Sequence, residues 1–387
     1  MERVVITGMG VVCSNADNKT EFADACFSGR VGIKKCTAFD TNGLLTPYFG
    51  QADNIDDNNR FYSLMKRSAE EMLSDAAVDK EYISSLGSRC RMFFGTLLYS
   101  SDAYYSHSMS KLGDKNDPFL AHMNDFSGYA KEITGVKGTV TISSSACAAG
   151  TTAAGMALDY IRNGLCDCAV VGGVDALSVI AAYGFNALKS LSGGICSPYD
   201  VDRDGINIGE CGAFFFFESL SSAKKRNAEI YCEAAGYATG NDAYHITSPE
   251  PNGEGAYHTM KAAIEDAQLT ADNVDYINGH GTGTPINDSM EIKASERLMG
   301  NKKVFLSSTK SLIGHCMGAS GAIELTSVIL SMQRGKYIPM PDLSDPIKSS
   351  VKMYSEPRGL DIDCALSNSF AFAGNSASIV IKRFKEA

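Results

Sequence analysis

Residues 139–164 read TVTISSSACAAGTTAAGMALDYIRNG, and residues 303–335 read KVFLSSTKSLIGHCMGASGAIELTSVILSMQRG. Each stretch begins on a short β-branched strand, passes a Ser/Thr cluster, enters a Gly/Ala-rich helix and closes on a polar turn ending in Gly. The second stretch carries several extra residues after its strand. A similar correspondence links the opening VVITGMG, from Val4, to YCEAAGYATG over residues 231–240. Repetition at this range predicts two related halves, residues 1–228 and 229–387, divided after the basic Lys224–Arg226.

Outward from these stretches, strand-like runs recur at Val4–Thr7, Thr139–Ile142, Ala169–Val171, Tyr276–Asn278, Val304–Leu306 and Ser378–Ile381. Amphipathic helices alternate with them, for example Ser63–Ala77 and Gly255–Ala267. The alternation indicates an α/β protein whose sheets are largely covered. Phe214–Phe217, a four-residue apolar block before Glu218, reads as a buried strand.

The chain has 387 residues, 44% hydrophobic and 21% charged, which is a globular composition with ample length for a large core. A net charge of −10 disfavours non-specific nucleic-acid binding, which needs cations to displace phosphate counterions, and says nothing of a local basic patch. There is no apolar run of 18 residues and no secretory pattern at the N-terminus, so neither a membrane span nor export is expected. Twelve cysteines lie scattered without a CxxC pair, as expected of reduced thiols in a cytoplasmic protein.

One cysteine stands apart. Cys147 follows Ser143–Ser145 and precedes a helix of small residues, where a strand-to-helix turn exposes a side chain and the helix dipole favours a thiolate. Ala146, Ala148, Ala149 and Gly150 leave room for an incoming carbonyl. A lone Cys at such a place is more often an inert buried thiol. His280, in GHGTGTPIND, and His315, in the second stretch, are both preceded by Gly at strand–helix turns, His315 at the place matching the turn of Cys147. For each, a hydrogen-bonded structural imidazole is the competing reading. A metal site is disfavoured, because no HxxxH or HxxE spacing surrounds either. Lys310, five residues before His315, reads as a partly enclosed cation or as a surface lysine.

Together these motifs resemble the beta-ketoacyl-[acyl-carrier-protein] synthases, elongating type, of the thiolase superfamily. The resemblance runs from residue 1 to 386. It is carried by SSSACAAG around Cys147, PYDVDRDGINIGECGA from Pro198, NDAYHITSPEPNGEG from Asn241, GHGTGTPIND around His280, SSTKSLIGHCMGASGA around His315, and SNSFAFAGNSA from Ser367. The Asn241 stretch is similar to the bacterial synthase II type in particular. The resemblance implies a five-layered αβαβα thiolase-like fold of two related halves and a catalytic set of Cys147, His280, His315 and Lys310. It also implies an oxyanion hole from the backbone N–H groups of Cys147 and Phe372, and Thr282 and Thr284 on the pantetheine arm. Phe370, Phe372 and Phe185 would gate the acyl channel, and Glu324 would lie near Lys310. The implied reaction is decarboxylative Claisen condensation of malonyl-carrier protein with a Cys-bound acyl chain, in fatty-acid or type II polyketide or polyene synthesis, without a metal or organic cofactor. The implied partners are acyl carrier protein and a second synthase, as homodimer or heterodimer. The alternative is a non-catalytic subunit of the chain-length-factor kind, which usually lacks the cysteine.

The chain also departs from the family pattern. The gating loop reads Ala371-Phe372-Ala373-Gly374 where GFGG is usual, so a stiffer loop is expected. Thr96-Leu97-Leu98-Tyr99 replaces a Gly-rich stretch, and Tyr104 is expected near the far end of the acyl pocket. Asp56-Asp57-Asn58-Asn59 precedes Arg60, and Ser197 stands where Arg is common. Fewer cations would weaken docking of an acidic carrier protein, leaving Lys66, Arg67 and Lys115 as contacts or as plain surface charge.

Overall fold

The structure, a computed structural model, describes residues 2–56, 59–99 and 126–386. Its main sheet has ten strands: β1 (Val4–Cys13), β2 (Cys90–Gly95), β3 (Val140–Ser143), β4 (Cys168–Asp175), β5 (Cys211–Ser219), β6 (Cys232–Asn241), β7 (Tyr276–Asn278), β8 (Phe305–Ser307), β9 (Cys364–Phe370) and β10 (Asn375–Lys382). They are ordered β8-β7-β9-β10-β6-β1-β5-β4-β2-β3. Numbered within its own half, each set of five strands has the order 3-2-4-5-1. In both, strands 3, 2 and 4 are parallel and the last two pairings are antiparallel. A short antiparallel contact of Val4–Ile6 with Cys232–Ala234 joins the halves.

Five helices explain the layering: α1 (Arg60–Asp75), α2 (Ala149–Arg162), α3 (Glu254–Asp266), α4 (Pro285–Met299) and α5 (Ser320–Arg334). The apolar faces of α2 and α5 share one core with the inner faces of both half-sheets, including Ala153, Ala157, Leu158, Ile323, Val328 and Ile329. Outside one half-sheet α1 packs through Phe61, Leu64, Met65 and Met72. Outside the other, α3 and α4 pack through Met260, Ile264, Met290 and Ile292. The result is helix, sheet, helix pair, sheet, helix: five layers. Phe215 and Phe217 point into the central core while Phe214 and Phe216 point into the outer one, so a strand covered on both faces carries aromatics at every position.

The central helices approach closely because they are built of small residues. A Cβ on Gly321 would lie 2.1 Å from Thr151 Oγ1. This contact brings the N-terminal ends of α2 and α5 side by side, and the candidate residues cluster there. Among the described residues no helix is long and apolar enough to cross a membrane.

Candidate active site

Cys147 sits in a single 3-10 turn, Ala146–Ala148, between β3 and α2. Ala146 is held at φ 51°, a left-handed conformation disfavoured for a residue with a Cβ. That turn presents the buried sulfur to a cavity. The second half repeats the turn at Met317–Ala319, with Met317 at φ 46°. The positional match of Cys147 is therefore Gly318. His315 lies three residues earlier, on the arm leading into the turn, where its backbone bridges Ile208: its N–H donates to Asn207 O (2.7 Å), and Gly209 N–H donates to His315 O (2.9 Å). His280 comes from the loop after β7. Its N–H donates to Glu291 Oε1 at 2.7 Å, and the N–H of Gly281 to Glu291 Oε2 at 2.8 Å.

The sulfur of Cys147 and one nitrogen of each ring lie within 4.8 Å of one another. The two rings stand edge to face at 5.3 Å and 85°. Met317 N–H donates to His315 Nδ1 (3.2 Å), and Ser320 Oγ lies 2.9 Å from it. Lys310 Nζ lies 3.2 Å from His280 Nδ1. An ammonium offers only donors, so both Nδ1 atoms accept and each neutral ring carries its proton on Nε2, facing the cavity. Burial keeps both rings neutral, holding their pKa well below the usual range, with the Lys310 charge adding to the effect. Burial also pushes the Cys147 thiol up to about 12, against a lowering by Lys310. The unliganded thiol is thus protonated; desolvation outweighs the thiolate tendency that its place at the helix start led us to expect.

Cys, His and His are also a donor set for a soft divalent metal. Ligating rings hand their second N–H to an acceptor, whereas here both Nδ1 atoms face donors. Two Nε2–H groups converging beside a sulfur suit an oxyanion and do not suit a metal.

The buried Lys310 pairs with Glu324 and donates to His280 O at 2.7 Å. Its Nζ contacts His280 from the short helix Lys310–Ile313, while its charge acts on His315 as well. Burial pushes the Glu324 carboxyl up to about 7, opposed by Lys310.

A cavity of about 410 Å³ opens at Cys147, His280 and His315 and is lined also by Phe185, Thr282, Thr284, Phe370 and Phe372. Of the residues expected at the site that the structure describes, all line this cavity except Lys310, which contacts His280, and Glu324, which pairs with Lys310.

Known proteins can be set beside this geometry. Residues 1–223 match the family model "Beta-ketoacyl synthase, N-terminal domain", and residues 231–344 match "Beta-ketoacyl synthase, C-terminal domain". The chain belongs to the beta-ketoacyl synthase family. A "3-oxoacyl-[acyl-carrier-protein] synthase 2" of Staphylococcus aureus (strain COL) is 34% identical over 99% of both chains, and one of Synechocystis sp. is 31% identical over 99% of both. Among solved structures, a complex described as a type II PKS acyl-carrier protein with its ketosynthase bound to the hexaketide contains a chain superposing with TM-score 0.89. That chain is 28% identical, over 99% of this chain and 100% of that one. The ishigamide ketosynthase/chain length factor gives the same TM-score, identity and coverage.

In this beta-ketoacyl synthase Phe370 ends β9, buried edge-on to His280 at 6.4 Å. Phe372 is half-buried and stacks on Phe185 at 5.6 Å and 30°. Ala373 takes φ 60°, the left-handed conformation that Gly would supply freely. Thr282 and Thr284 hydrogen-bond each other through their hydroxyls at 2.9 Å. On the outer surface, Arg60 is buried and pairs with Glu210, so it is no docking cation. Arg67 pairs with Asp17 at 3.1 Å, and Lys66 stands 3.9 Å from Glu70. Tyr104 and Lys115 lie outside the described residues.

The synthase also uses residues that sequence reasoning did not single out. Asp288 and Glu291, one helical turn apart on α4, accept five backbone N–H bonds from His280, Gly281, Thr282, Gly283 and Tyr199. The available signal was an i, i+3 acid pair opening a helix right after a glycine-rich loop. Asp175, at the end of β4, accepts from Thr96 Oγ1 and from the N–H groups of Leu97, Leu98 and Ala319.

Proposed function

We propose that the chain is a condensing beta-ketoacyl synthase, joining a Cys147-bound acyl group to a malonyl-carrier protein with loss of CO₂. The observation that carries this reading is the convergence of two Nε2–H donors on the space beside the Cys147 sulfur.

In the first step Cys147 attacks the thioester of an acyl-carrier protein. The new C–S bond forms as the pantetheine C–S bond breaks, and the thiol proton passes to the departing pantetheine sulfur, so transfer is proton-neutral. A thiol this buried ionises only within that exchange, when an acceptor is at hand. The oxyanion of the tetrahedral intermediate would bind the N–H groups of Cys147 and Phe372.

In the second step the malonyl carboxylate leaves as CO₂, and its bonding electrons become an enolate with charge on the thioester oxygen. His280 and His315 donate Nε2–H bonds to that oxygen. Both rings stay neutral because they are buried beside the Lys310 cation, so donors are in place before charge develops and need no reorganisation. The enolate carbon attacks the acyl-Cys147 carbonyl, the sulfur departs and takes up a proton, and a 3-ketoacyl-carrier protein is released. Thr282 and Thr284 would hold the pantetheine arm, and Phe372 with Phe185 would gate the acyl channel.

The carrier protein is the proposed donor and acceptor partner, as in the related solved complex, and a second synthase chain completes a homodimer or heterodimer. We further infer a division of labour between residues 1–228, which bring the sulfur, and 229–387, which bring both histidines and the gate, in a cytoplasmic enzyme. A non-condensing scaffold subunit would have no use for a thiol set between two oriented imidazoles.

The test is incubation of the protein with acyl- and malonyl-carrier protein, following the intact mass of enzyme and products. An acyl adduct on Cys147, absent in Cys147→Ala, and a 3-ketoacyl product are expected. No adduct and no CO₂ from the unmodified protein would sink the proposal.

A further inference from the structure

Tyr199 occupies the second position of PYDVDRDG, and its hydroxyl reaches a place that a phenylalanine ring would leave empty. The side chain is buried, with the backbone at φ 64°. The Tyr199 N–H donates to Asp288 Oδ2 at 2.8 Å, Ile347 N–H donates to Tyr199 O at 2.8 Å, and the phenol donates to Glu291 Oε2 at 2.8 Å. These anchors fix the ring beneath the loop that carries His280. A Cβ added to Gly279 would lie 2.1 Å from the phenol oxygen, and one added to Gly281 would lie 2.6 Å from it. The phenol thus closes the space beside both glycines that flank His280, together with Glu291 at Gly279 and Ser308 at Gly281.

We infer that Tyr199 is a positioning residue for His280, acting through Glu291. The inference rests on the oxyanion-binding role proposed for His280. Glu291 is a buried carboxylate with three donors: the N–H groups of His280 and Gly281 and the Tyr199 hydroxyl. As long as it is ionised it accepts from the two amides and holds the His280 backbone in register. Protonation would turn one oxygen into a donor facing donors. Burial raises the Glu291 pKa and the Tyr199 hydrogen bond lowers it. The charged and titratable groups around Glu291 are Asp288 on its own helix, Tyr199 and Arg203 from the Pro198 segment, His280 on the loop, and Lys310 with Glu324 behind it. Among them the phenol is the one side chain that donates a hydrogen bond directly to this carboxylate.

The test is Tyr199→Phe, which keeps the ring and removes the donor. Losing a hydrogen bond to a charged group should lower kcat for CO₂ release from malonyl-carrier protein about tenfold, with KM moved less than twofold. The acid limb of that kcat should move up by about one pH unit, since a less supported Glu291 protonates sooner. In a Glu291→Gln background, Tyr199→Phe should have little further effect. Unchanged rate and acid limb, independent effects of the two changes, or an equal loss of acyl-Cys147 formation by intact mass would each overturn the inference. An unmodified protein that neither acylates nor releases CO₂ would overturn the proposed function, and this inference with it.

Discussion

The turn at Ala146–Ala148 and the turn at Met317–Ala319 have nearly the same backbone, yet one presents a thiol and the other a hydrogen atom. Both follow the third strand of their half, both strain one non-glycine residue into the left-handed region, and both launch a central helix. The fold thus offers two equivalent elbows at the centre of the molecule. At the second elbow the space is taken: a Cβ on Gly318 would meet Leu97 N at 2.6 Å and Asp175 Oδ2 at 2.9 Å. The carboxylate of Asp175 stitches the 96–98 segment over that turn, whereas the corresponding space at Cys147 remains a cavity. In place of a second nucleophile, the extra residues before the second turn supply Lys310 and His315. The lesson is that one backbone turn, used twice, serves two purposes when one copy is filled and the arm leading to it is longer.

The largest effects should come from the donors that the second half contributes. His315→Ala and His280→Ala should each lower kcat for CO₂ release by about 10²–10³-fold, the usual cost of one oxyanion donor. Acylation of Cys147 should survive in both, because the thiol hands its proton to the leaving sulfur. If either variant condenses at the unmodified rate, the two rings are not a pair. Asp175, which closes the second elbow, should show itself in stability. Burial raises its carboxyl from 3.8 to about 6. The folded value exceeds the unfolded one, so the stability it contributes is complete below pH 3.8 and lost as pH rises through about 6. The gap corresponds to about 3 kcal/mol. The melting temperature of the unmodified protein minus that of Asp175→Asn should therefore fall between pH 4 and 7 and then level off. A flat difference would mean that the carboxyl does not titrate on this path.

Much of this was legible beforehand, for reasons that differ from element to element. Tyr276–Asn278 was read to the residue because a short apolar run between polar turns has only one way to be a buried parallel strand. The Phe214–Phe217 run lies inside β5 for the same reason. By contrast, β1 runs on past the expected Val4–Thr7 to Cys13, through Gly8 and Gly10. They are there because α1 crosses the strand: a Cβ on Gly10 would sit 2.2 Å from Ser68 O. The triad was visible since each member follows its own local strand signal. Asp175 and Tyr199 were not, because they act on backbone amides and glycines far away in sequence, and no local period records such contacts.

Steric closure of the second elbow can be broken directly. Gly318→Ala forces a methyl against backbone atoms of Thr96 and Leu97, which cannot swing aside as a side chain would. It should cost about 1–3 kcal/mol, read as a lower melting temperature. Cys147→Ala at the matching position keeps the Cβ already accommodated there and should melt within a degree or two of the unmodified protein. Equal losses in the two variants would contradict the asymmetry.

The smallest effect concerns the strain that both elbows share. Replacing Ala146 by Gly removes a left-handed penalty of about 1–2 kcal/mol but adds about 0.5–1 kcal/mol of unfolded-chain entropy. The net should be a stabilisation of at most about 1.5 kcal/mol, seen as a slightly raised denaturation midpoint with unchanged slope. Met317 offers no such gain, since its buried side chain packs with Phe49, Leu177 and Ile208 and would be lost with the strain. If strain at Ala146 serves to fix the sulfur, Ala146→Gly should also acylate more slowly while becoming more stable. Acylation at the original rate would mean that the helix start alone positions Cys147, and that the left-handed residue is a legacy of the shared turn.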